Sequence, residues 1–451
     1  MKKKLKDKGV NRRDFLKATT ATAAAMAFPH LWIPKVGHTA IYPKIDPGKP
    51  IRVGLLYSQT GVVSIVEKEM YKVSLMAIEE INNAGGVHGA KLEPIVRDPA
   101  SVWANYARQA KELMNQNVNI FWGGYTSASR EALLPVTERG GAVLFYPSHY
   151  EGRECSPLYI APGAQPNQLV HLAIPWMVRK AGPKCYMVGS DYIFPRMFNK
   201  ESIFLLKKSG GKLVGEKYLG LDVVDEAGFK DMIDDILRKK PDFVLDNMVG
   251  DSIVAFRRAY KKAGLTKDKM PILSGVLMEN QVDQVGIEFC EGHYSTMSYF
   301  QSVQREENHA FIEKYKAFHE VHPEWKNGRI VTMANMEGAY INTQICIEAM
   351  KLAESAHPEA IVEAARGLVV NAPEADIRID PDNLHAWLRP RIGRVNGDGQ
   401  FDIVDESPDL VRPRVFSQFL DPGKECKGGG DTFINGKMRP RRKSQRVIVP
   451  Q

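Results

Sequence analysis

The chain lacks long hydrophobic runs and the common catalytic motifs. No stretch after the N-terminal segment approaches the ~20 consecutive apolar residues that cross a bilayer. The nucleophile elbow G-x-S-x-G, the zinc motif H-E-x-x-H and the phosphate loop G-x-x-x-x-G-K-[ST] are all missing. We therefore predict that the protein has no membrane span, no catalytic residues and no enzyme activity.

Cysteine is also scarce. The five cysteines lie far apart, without C-x-x-C spacing, at Cys155, Cys185, Cys290, Cys346 and Cys426. This spacing predicts neither a zinc site nor a redox dithiol, and the odd number leaves at least one cysteine unpaired within the chain. We expect no metal and no cofactor.

Positive charge is confined to the two ends of the chain. The net charge is +8, but residues 1–27 and 423–451 each hold eight Lys/Arg and two Asp/Glu, which leaves −4 for residues 28–422. A slightly acidic body offers no phosphate-binding face, so we predict no nucleic-acid partner. The basic, glycine-containing tail at 423–451 is predicted to be flexible.

The N-terminus has the composition of an export signal. The sequence NRRDFLK at residues 11–17 precedes a weakly apolar run at 18–28, and a small-x-small cleavage site lies at 25–27. This arrangement resembles a twin-arginine signal, with a basic disordered tail as the alternative. We predict a signal peptide at 1–27, export by the twin-arginine machinery and a soluble periplasmic protein.

From Ile51 onward, short β-rich runs alternate with helical patterns. Strands are predicted at 51–57, 92–96, 119–122 and 142–145, and, after a restart near 165–168, at 185–188, 213–218, 243–246 and 272–275. This alternation predicts an α/β fold with parallel sheets, and the length exceeds one hydrophobic core. Helices near 306–321 and 333–356 are expected to return to the first lobe, before hairpins that begin near 369.

These patterns predict two lobes made of discontinuous segments. Lobe 1 comprises residues 48–165 plus about 303–366, and lobe 2 comprises 166–302 plus about 367–422. Three predicted strand ends, at 123–130, 145–152 and 189–196, are crowded with tyrosines and hydroxyls. Because ligands bind at the carboxyl ends of parallel strands, these neutral groups predict a small, flat, uncharged polar ligand such as an amide.

Several motifs together resemble one family. They are SQTG at 58–61, EINNAGGV at 80–87, YTSASR at 125–130, YEG at 150–152 with CSP at 155–157, and GSDY at 189–192. From about Arg52 to Pro413 the chain resembles the amide and urea branch of the type I periplasmic binding proteins. Within that branch it is similar to urea-transporter binding subunits and to the short-chain amide sensors of amidase operons.

The resemblance implies two doubly wound lobes, joined by three hinge strands, that close on a ligand and present it to an inner-membrane ABC permease. The ligand is urea or a short-chain amide. Tyr125 follows the amide sensors and Phe194 follows the urea binders, whereas His149 stands where the sensors carry proline. The ligand-binding residues implied are Tyr125, Thr126, Ser127, Tyr146, Ser148, His149, Tyr192, Phe194 and Glu279.

Other interpretations of these residues and of the function stay open. Tyr146 could be a core aromatic, Thr126 and Ser127 could cap a helix, Asp251 is predicted mainly as a helix cap, and Glu337 is predicted to order helix packing. A branched-chain amino-acid binder of the same fold is the main functional alternative, although its ligand carries two charges. A cytosolic amide sensor and an amidase are weaker alternatives.

Overall fold

The alternation of apolar strands and amphipathic helices builds two mainly parallel sheets. The computed structural model describes residues 42–325, 328–427, 431–434 and 437–439. Its helices are α1 (Ser64–Asn83), α2 (Trp103–Met114), α3 (Ser127–Arg139), α4 (Val170–Ala181), α5 (Ile193–Lys208), α6 (Lys230–Lys239), α7 (Ser252–Lys262), α8 (Glu279–Val285), α9 (Ile287–Cys290), α10 (Glu306–Val321), α11 (Ala334–Ala353) and α12 (Pro358–Ala365), with 3₁₀ turns at Pro166–Gln168, Ala227–Phe229 and Pro323–Trp325.

The first sheet has five strands, all parallel. They are β1 (Ile51–Leu56), β2 (Leu92–Arg97), β3 (Ile120–Gly123), β4 (Val143–Phe145) and β5 (Tyr159–Ile160). Their order is β2-β1-β3-β4-β5, and in the register Leu55 lies opposite Val96 and Trp122. Since β3 and β4 are parallel neighbours, the segments that follow them lie side by side at the carboxyl ends of these strands.

The second sheet has seven strands. They are β6 (Lys184–Ser190), β7 (Lys212–Leu219), β8 (Phe243–Asn247), β9 (Ile272–Ser274), β10 (Tyr294–Met297), β14 (Arg391–Val395) and β15 (Phe401–Glu406). Between β10 and β14 in the chain, a separate small antiparallel sheet is formed by β11 (Val369–Asn371), β12 (Asp376–Ile379) and β13 (Ala386–Trp387). The order is β15-β14-β10-β9-β8-β6-β7, with β6 to β10 parallel and the β14–β15 hairpin antiparallel. The α/β fold and the parallel sheets are confirmed.

Helices α10 and α11 follow the second sheet but pack on α1, which belongs to the first. Tyr315 of α10 donates a hydrogen bond to Glu69 at 2.6 Å, and Tyr340 of α11 donates to Glu80 at 3.1 Å. Glu337 is buried in α11 and accepts a hydrogen bond from the backbone N–H of Glu374 at 3.3 Å, as a packing role predicts. These contacts support the lobe boundaries, which stay a prediction.

Within the tail that the sequence predicted to be flexible, the described residues form three short strands. Strands β16 (Lys424–Lys427), β17 (Asp431–Ile434) and β18 (Lys437–Arg439) form an antiparallel sheet, and a disulfide joins Cys426 to Cys155. A covalent link of this kind restricts the segment in a way that charge and glycine content do not reveal. The remaining cysteines, Cys185, Cys290 and Cys346, are buried and free.

The predicted signal at 1–27 lies outside the described residues. Among the residues that are described, no helix is both long enough and apolar enough to cross a membrane.

Candidate functional site

The segment between β3 and α3 carries the first predicted site residues. Thr126 caps α3, its Oγ1 accepting a hydrogen bond from the Ser129 N–H at 3.1 Å. Gly124 has φ +80°, and a Cβ there would lie 3.2 Å from the ring of Tyr146, so glycine permits this close approach. The Tyr146 hydroxyl donates to the backbone carbonyl of Tyr125 at 2.6 Å. Tyr146 therefore positions the segment that carries Tyr125.

A buried ion pair lies beside this segment. Arg130 Nη2 is 2.9 Å from Glu151 Oε1, and the guanidinium carbon lies 4.5 Å from the centroid of the Tyr150 ring. The Ser127 hydroxyl donates to the other carboxylate oxygen of Glu151. The hydroxyl hydrogen of Ser127 and the charge of Arg130 are thus both used within the protein.

Residues that follow strands of both sheets meet at His149 and Phe194. Their rings make an edge contact with centroids 5.4 Å apart, and Tyr192 lies 6.4 Å from Phe194. Burial raises the pKa of Tyr192 well above its usual value, and the neighbouring Tyr125 and Tyr146 raise this pKa further. The structure therefore brings these predicted site residues together.

Several polar atoms in this region are buried and make no hydrogen bond with any described residue. They include the Tyr125 hydroxyl, Ser148 Oγ and Asn335 Nδ2, and also Nε and Nη1 of Arg130. His149 Nδ1 lies 3.2 Å from Asn335 Oδ1, and burial lowers the pKa of His149 to about 4, so its ring is neutral at pH 7. We call the following residues the neutral cluster: Tyr125, Tyr146, Ser148, His149, Tyr192, Phe194 and Asn335.

Glu279 stands apart from the neutral cluster. It opens α8, is fully buried, and accepts a hydrogen bond from the Gln301 N–H at 2.7 Å through Oε1. Its Oε2 makes no hydrogen bond with the described residues, and burial raises the pKa of this carboxyl to about 8. Within the described part of the chain, no hydrogen bond or ion pair joins Glu279 to the other eight predicted residues. Its role in ligand binding stays a prediction.

The sequence interpretation missed two polar residues. Glu67 is buried in α1 and accepts hydrogen bonds from the Ser58 N–H and from the Tyr106 hydroxyl, the latter at 2.6 Å, and burial raises its pKa to about 7. Its position three residues before Met70 on the apolar face of α1 was an available signal. Asn335 opens α11, and nothing in the sequence distinguishes it from an exposed asparagine.

An open cleft of about 610 Å³ lies elsewhere, between α1, α7, α8 and α10. We call it the charged cleft because of the ionic side chains that line it, namely Lys68, Glu69, Lys72, Asp251, Arg258, Asp283 and Arg329. Asp251 occupies the N-cap position of α7, but its side chain makes no cap hydrogen bond, contrary to the prediction; its N–H donates to the Val62 carbonyl at 3.1 Å. None of the nine predicted site residues lines this cleft.

Sequence comparison gives two family matches. The profile of the periplasmic binding protein domain matches residues 51–422, and that of the twin-arginine translocation pathway signal sequence matches residues 9–29. The second match confirms the predicted export signal.

Individual relatives match less of the chain. A limonene hydroxylase of Geobacillus stearothermophilus is 30% identical over 31% of this chain, and a leucine-, isoleucine-, valine-, threonine- and alanine-binding protein of Pseudomonas aeruginosa is 33% identical over 22%. The chain covers only 25% and 26% of these two relatives. A Leu/Ile/Val-binding protein homologue of Brucella abortus is 23% identical, with 70% of this chain and 80% of that protein aligned.

Solved structures agree in fold. A solute-binding protein from Rhodopseudomonas palustris in complex with 3,4-dihydroxybenzoic acid has a TM-score of 0.72 at 19% identity and covers 81% of this chain and 98% of its own. The LivJ protein of Streptococcus pneumoniae in complex with isoleucine has a TM-score of 0.68 at 17% identity, and the alignment covers 81% of this chain and 100% of LivJ. The type I fold is thereby confirmed, whereas the amide and urea branch is not. The chain belongs to the periplasmic binding protein family and is exported to the periplasm by a twin-arginine signal.

Proposed function

We propose that this protein is the substrate-binding subunit of an ABC importer and captures urea or a short-chain aliphatic amide by closure of its lobes. The observation that carries the proposal is the neutral cluster, in which the Tyr125 hydroxyl, Ser148 Oγ and Asn335 Nδ2 are buried without partners among the described residues. A carboxamide offers one acceptor and two N–H donors to such groups. Binding, without catalysis, is the proposed role.

The charges near the neutral cluster also favour an uncharged ligand. Arg130 is paired with Glu151, so its charge is already balanced inside the protein. His149 is neutral at pH 7 because burial lowers its pKa to about 4. Nε and Nη1 of Arg130 make no hydrogen bond with the described residues, but its charge is already balanced by Glu151. A carboxylate that entered this region would therefore bury an excess negative charge, which is costly, whereas a neutral amide would not.

The size of urea sets a scale for affinity. Urea has four non-hydrogen atoms, so a ceiling of roughly −1.5 kcal/mol per atom corresponds to a dissociation constant of tens of micromolar. An affinity near that ceiling requires almost complete enclosure, which closure of two lobes supplies. The nine residues predicted from the sequence remain the proposed ligand-binding set, with Asn335 added.

A branched-chain amino acid is the second candidate ligand. Glu279 is the specific observation in its favour, because its Oε2 has no hydrogen-bond partner among the described residues and an ionised carboxylate could accept from an ammonium group. The names of the Pseudomonas and Brucella relatives point the same way. Against it, the raised pKa of Glu279, about 8, keeps much of this carboxyl protonated at pH 7.

Isothermal titration tests the two candidates. The mature protein, unfolded and refolded to remove carried ligand, is titrated with urea, formamide, acetamide and leucine. Saturable binding of urea or an amide without a leucine signal supports the proposal. Binding of leucine alone assigns the protein to the amino-acid binders, and the absence of a binding signal for all four compounds refutes both candidates.

Matched hydroxyl deletions test the location of the site. Tyr125→Phe is expected to weaken binding of the preferred ligand roughly tenfold, the usual effect of one lost hydrogen bond. Tyr260→Phe removes an equally buried hydroxyl that donates to the Met270 carbonyl at 2.8 Å, and it should leave affinity unchanged. Equal affinities in the two variants would remove Tyr125 from the proposed site.

A further inference from the structure

The start of α11 lies directly against the loop that follows β4. Gly338 packs so closely on the Pro147 carbonyl that a Cβ at this position would clash with it. One turn earlier in the helix, Asn335 is 1% exposed and faces His149, which follows Pro147 by two residues. Asn335 therefore reaches the neutral cluster from a helix that the sequence interpretation did not connect with the ligand.

The Asn335 amide faces His149 with its oxygen. The ring is neutral, because burial lowers its pKa to about 4, and it therefore carries a single N–H. With Nδ1 lying 3.2 Å from Asn335 Oδ1, the hydrogen on Nδ1 satisfies that oxygen. The amide nitrogen, Nδ2, then points elsewhere, and it is buried with no partner among the described residues.

We propose that Asn335 Nδ2 donates a hydrogen bond to the carbonyl oxygen of the ligand, and that this donor makes the site select urea or an amide over a cation of the same shape. The inference rests on the proposed function. A buried donor without a partner is unfavourable, and a ligand carbonyl removes that cost, whereas an N–H group at the same place does not. The Nδ1–H tautomer leaves His149 Nε2 as an acceptor for a ligand N–H.

Urea and guanidinium separate this role from a purely structural one. The two molecules share a planar shape, but guanidinium has an N–H group where urea has its carbonyl oxygen. Asn335→Asp keeps an oxygen for the His149 N–H and replaces the donor with an acceptor. Titration at pH 8 should show urea affinity at least about tenfold weaker in this variant and guanidinium affinity increased.

The matched control is Asn342→Asp, the same substitution at another buried asparagine two turns further along α11. It should keep the wild-type preference for urea. An Asn335→Asp variant that folds and retains wild-type urea affinity would overturn the inference. If Asn335→Asp does not fold, Asn335→Leu, which is neutral and similar in size, should also lose urea affinity at least about tenfold, and unchanged affinity would overturn the inference equally.

The wild-type titrations distinguish failure of this inference from failure of the proposed function. If the wild-type protein binds urea or acetamide and the Asn335 variant binds it with unchanged affinity, only the role of Asn335 is refuted. Wild-type protein that binds neither urea nor any amide refutes the proposed function, and the assignment of Asn335 with it.

Discussion

The neutral cluster and the charged cleft show two ways in which one protein places polar groups. In the charged cleft, ionic side chains pair where water reaches them, as Arg329 does with Asp283 at 2.7 Å. In the neutral cluster, hydroxyl, imidazole and amide groups are buried among aromatic rings.

The difference follows from the cost of removing a charge from water. A buried ion needs a partner and hydrogen bonds, and Arg130, the cation beside the neutral cluster, has Glu151 and the Tyr150 ring. A neutral hydroxyl or amide has no charge to balance, and a neutral ligand can supply the hydrogen-bond partners that it lacks. We infer from this contrast that the buried region favours uncharged ligands.

Removing the cation beside the neutral cluster should have the largest effect. Arg130→Met leaves the buried Glu151 carboxylate without its charged partner and should lower the free energy of unfolding by about 3–5 kcal/mol. Arg196→Met is the matched control, because Arg196 and Asp191 form a half-exposed pair at 2.6 Å; it should cost about 1 kcal/mol or less. Guanidinium chloride unfolding measures both, and equal losses would contradict the contrast between buried and exposed charge.

The disulfide fastens the loop that follows the neutral cluster to the C-terminal sheet. Cys426→Ser should lower the free energy of unfolding by about 2–4 kcal/mol, since the bond closes a long loop of chain. Reduction with dithiothreitol should destabilise the wild type by a similar amount and leave the variant unchanged. If dithiothreitol leaves the free energy of unfolding of the wild type unchanged, Cys155 and Cys426 are not bonded.

Glu279 is buried, and the charges of Asp283 and Arg329 in the charged cleft act on it. Its pKa of about 8, against an ordinary 4.5, means that the folded protein holds this proton more tightly than the unfolded chain does. The contribution of Glu279 to stability is therefore present at low pH and lost as pH rises through this range, by about 1.4 kcal/mol per pH unit near its middle.

Glu279→Gln should remove the contribution of Glu279 to the pH dependence of the free energy of unfolding. The pH dependence that remains should come from other buried carboxyls such as Glu67. The measurement is the free energy of unfolding of wild type and variant from pH 5 to pH 8. Parallel curves would show that Glu279 is ionised in the folded protein, and would favour an ammonium ligand.

Ligand affinity should respond to the neutral cluster and not to the charged cleft. Ser148→Ala removes a buried hydroxyl without a described partner and should weaken ligand binding roughly tenfold. Lys68→Met, in the charged cleft, should leave ligand affinity within about twofold of the wild type, because a distant solvated charge contributes little to a neutral ligand. The reverse result would move the ligand site to the charged cleft.

Much of the fold could be predicted because most of its strands are short β-rich runs between helical patterns. All eight strands predicted from that pattern are present, within two residues at each end. The two-residue β5 was too short to predict, and β10 follows a helix of only four residues, so the strand–helix rhythm did not mark it. The C-terminal sheet was missed because its link to Cys155 spans 271 residues of sequence.

The candidate site was predictable only where residues follow strands. Tyr125, Ser148 and Tyr192 were proposed because the carboxyl ends of neighbouring parallel strands meet. Asn335 was not, because the sequence does not reveal which helix end packs against that edge. The sequence also could not show that the Ser127 hydroxyl donates a hydrogen bond to Glu151, or that the Tyr146 hydroxyl donates one to a backbone carbonyl. These partners are set by the tertiary fold.

A comparison of acetamide with acetate would show whether the buried site takes a neutral ligand, as we propose. The two molecules have nearly the same size and shape and differ in charge. Titrated into the refolded wild-type protein at pH 7, acetamide should bind saturably and acetate should not bind at matched concentrations. Acetate binding as tightly as acetamide, or in its place, would contradict the claim.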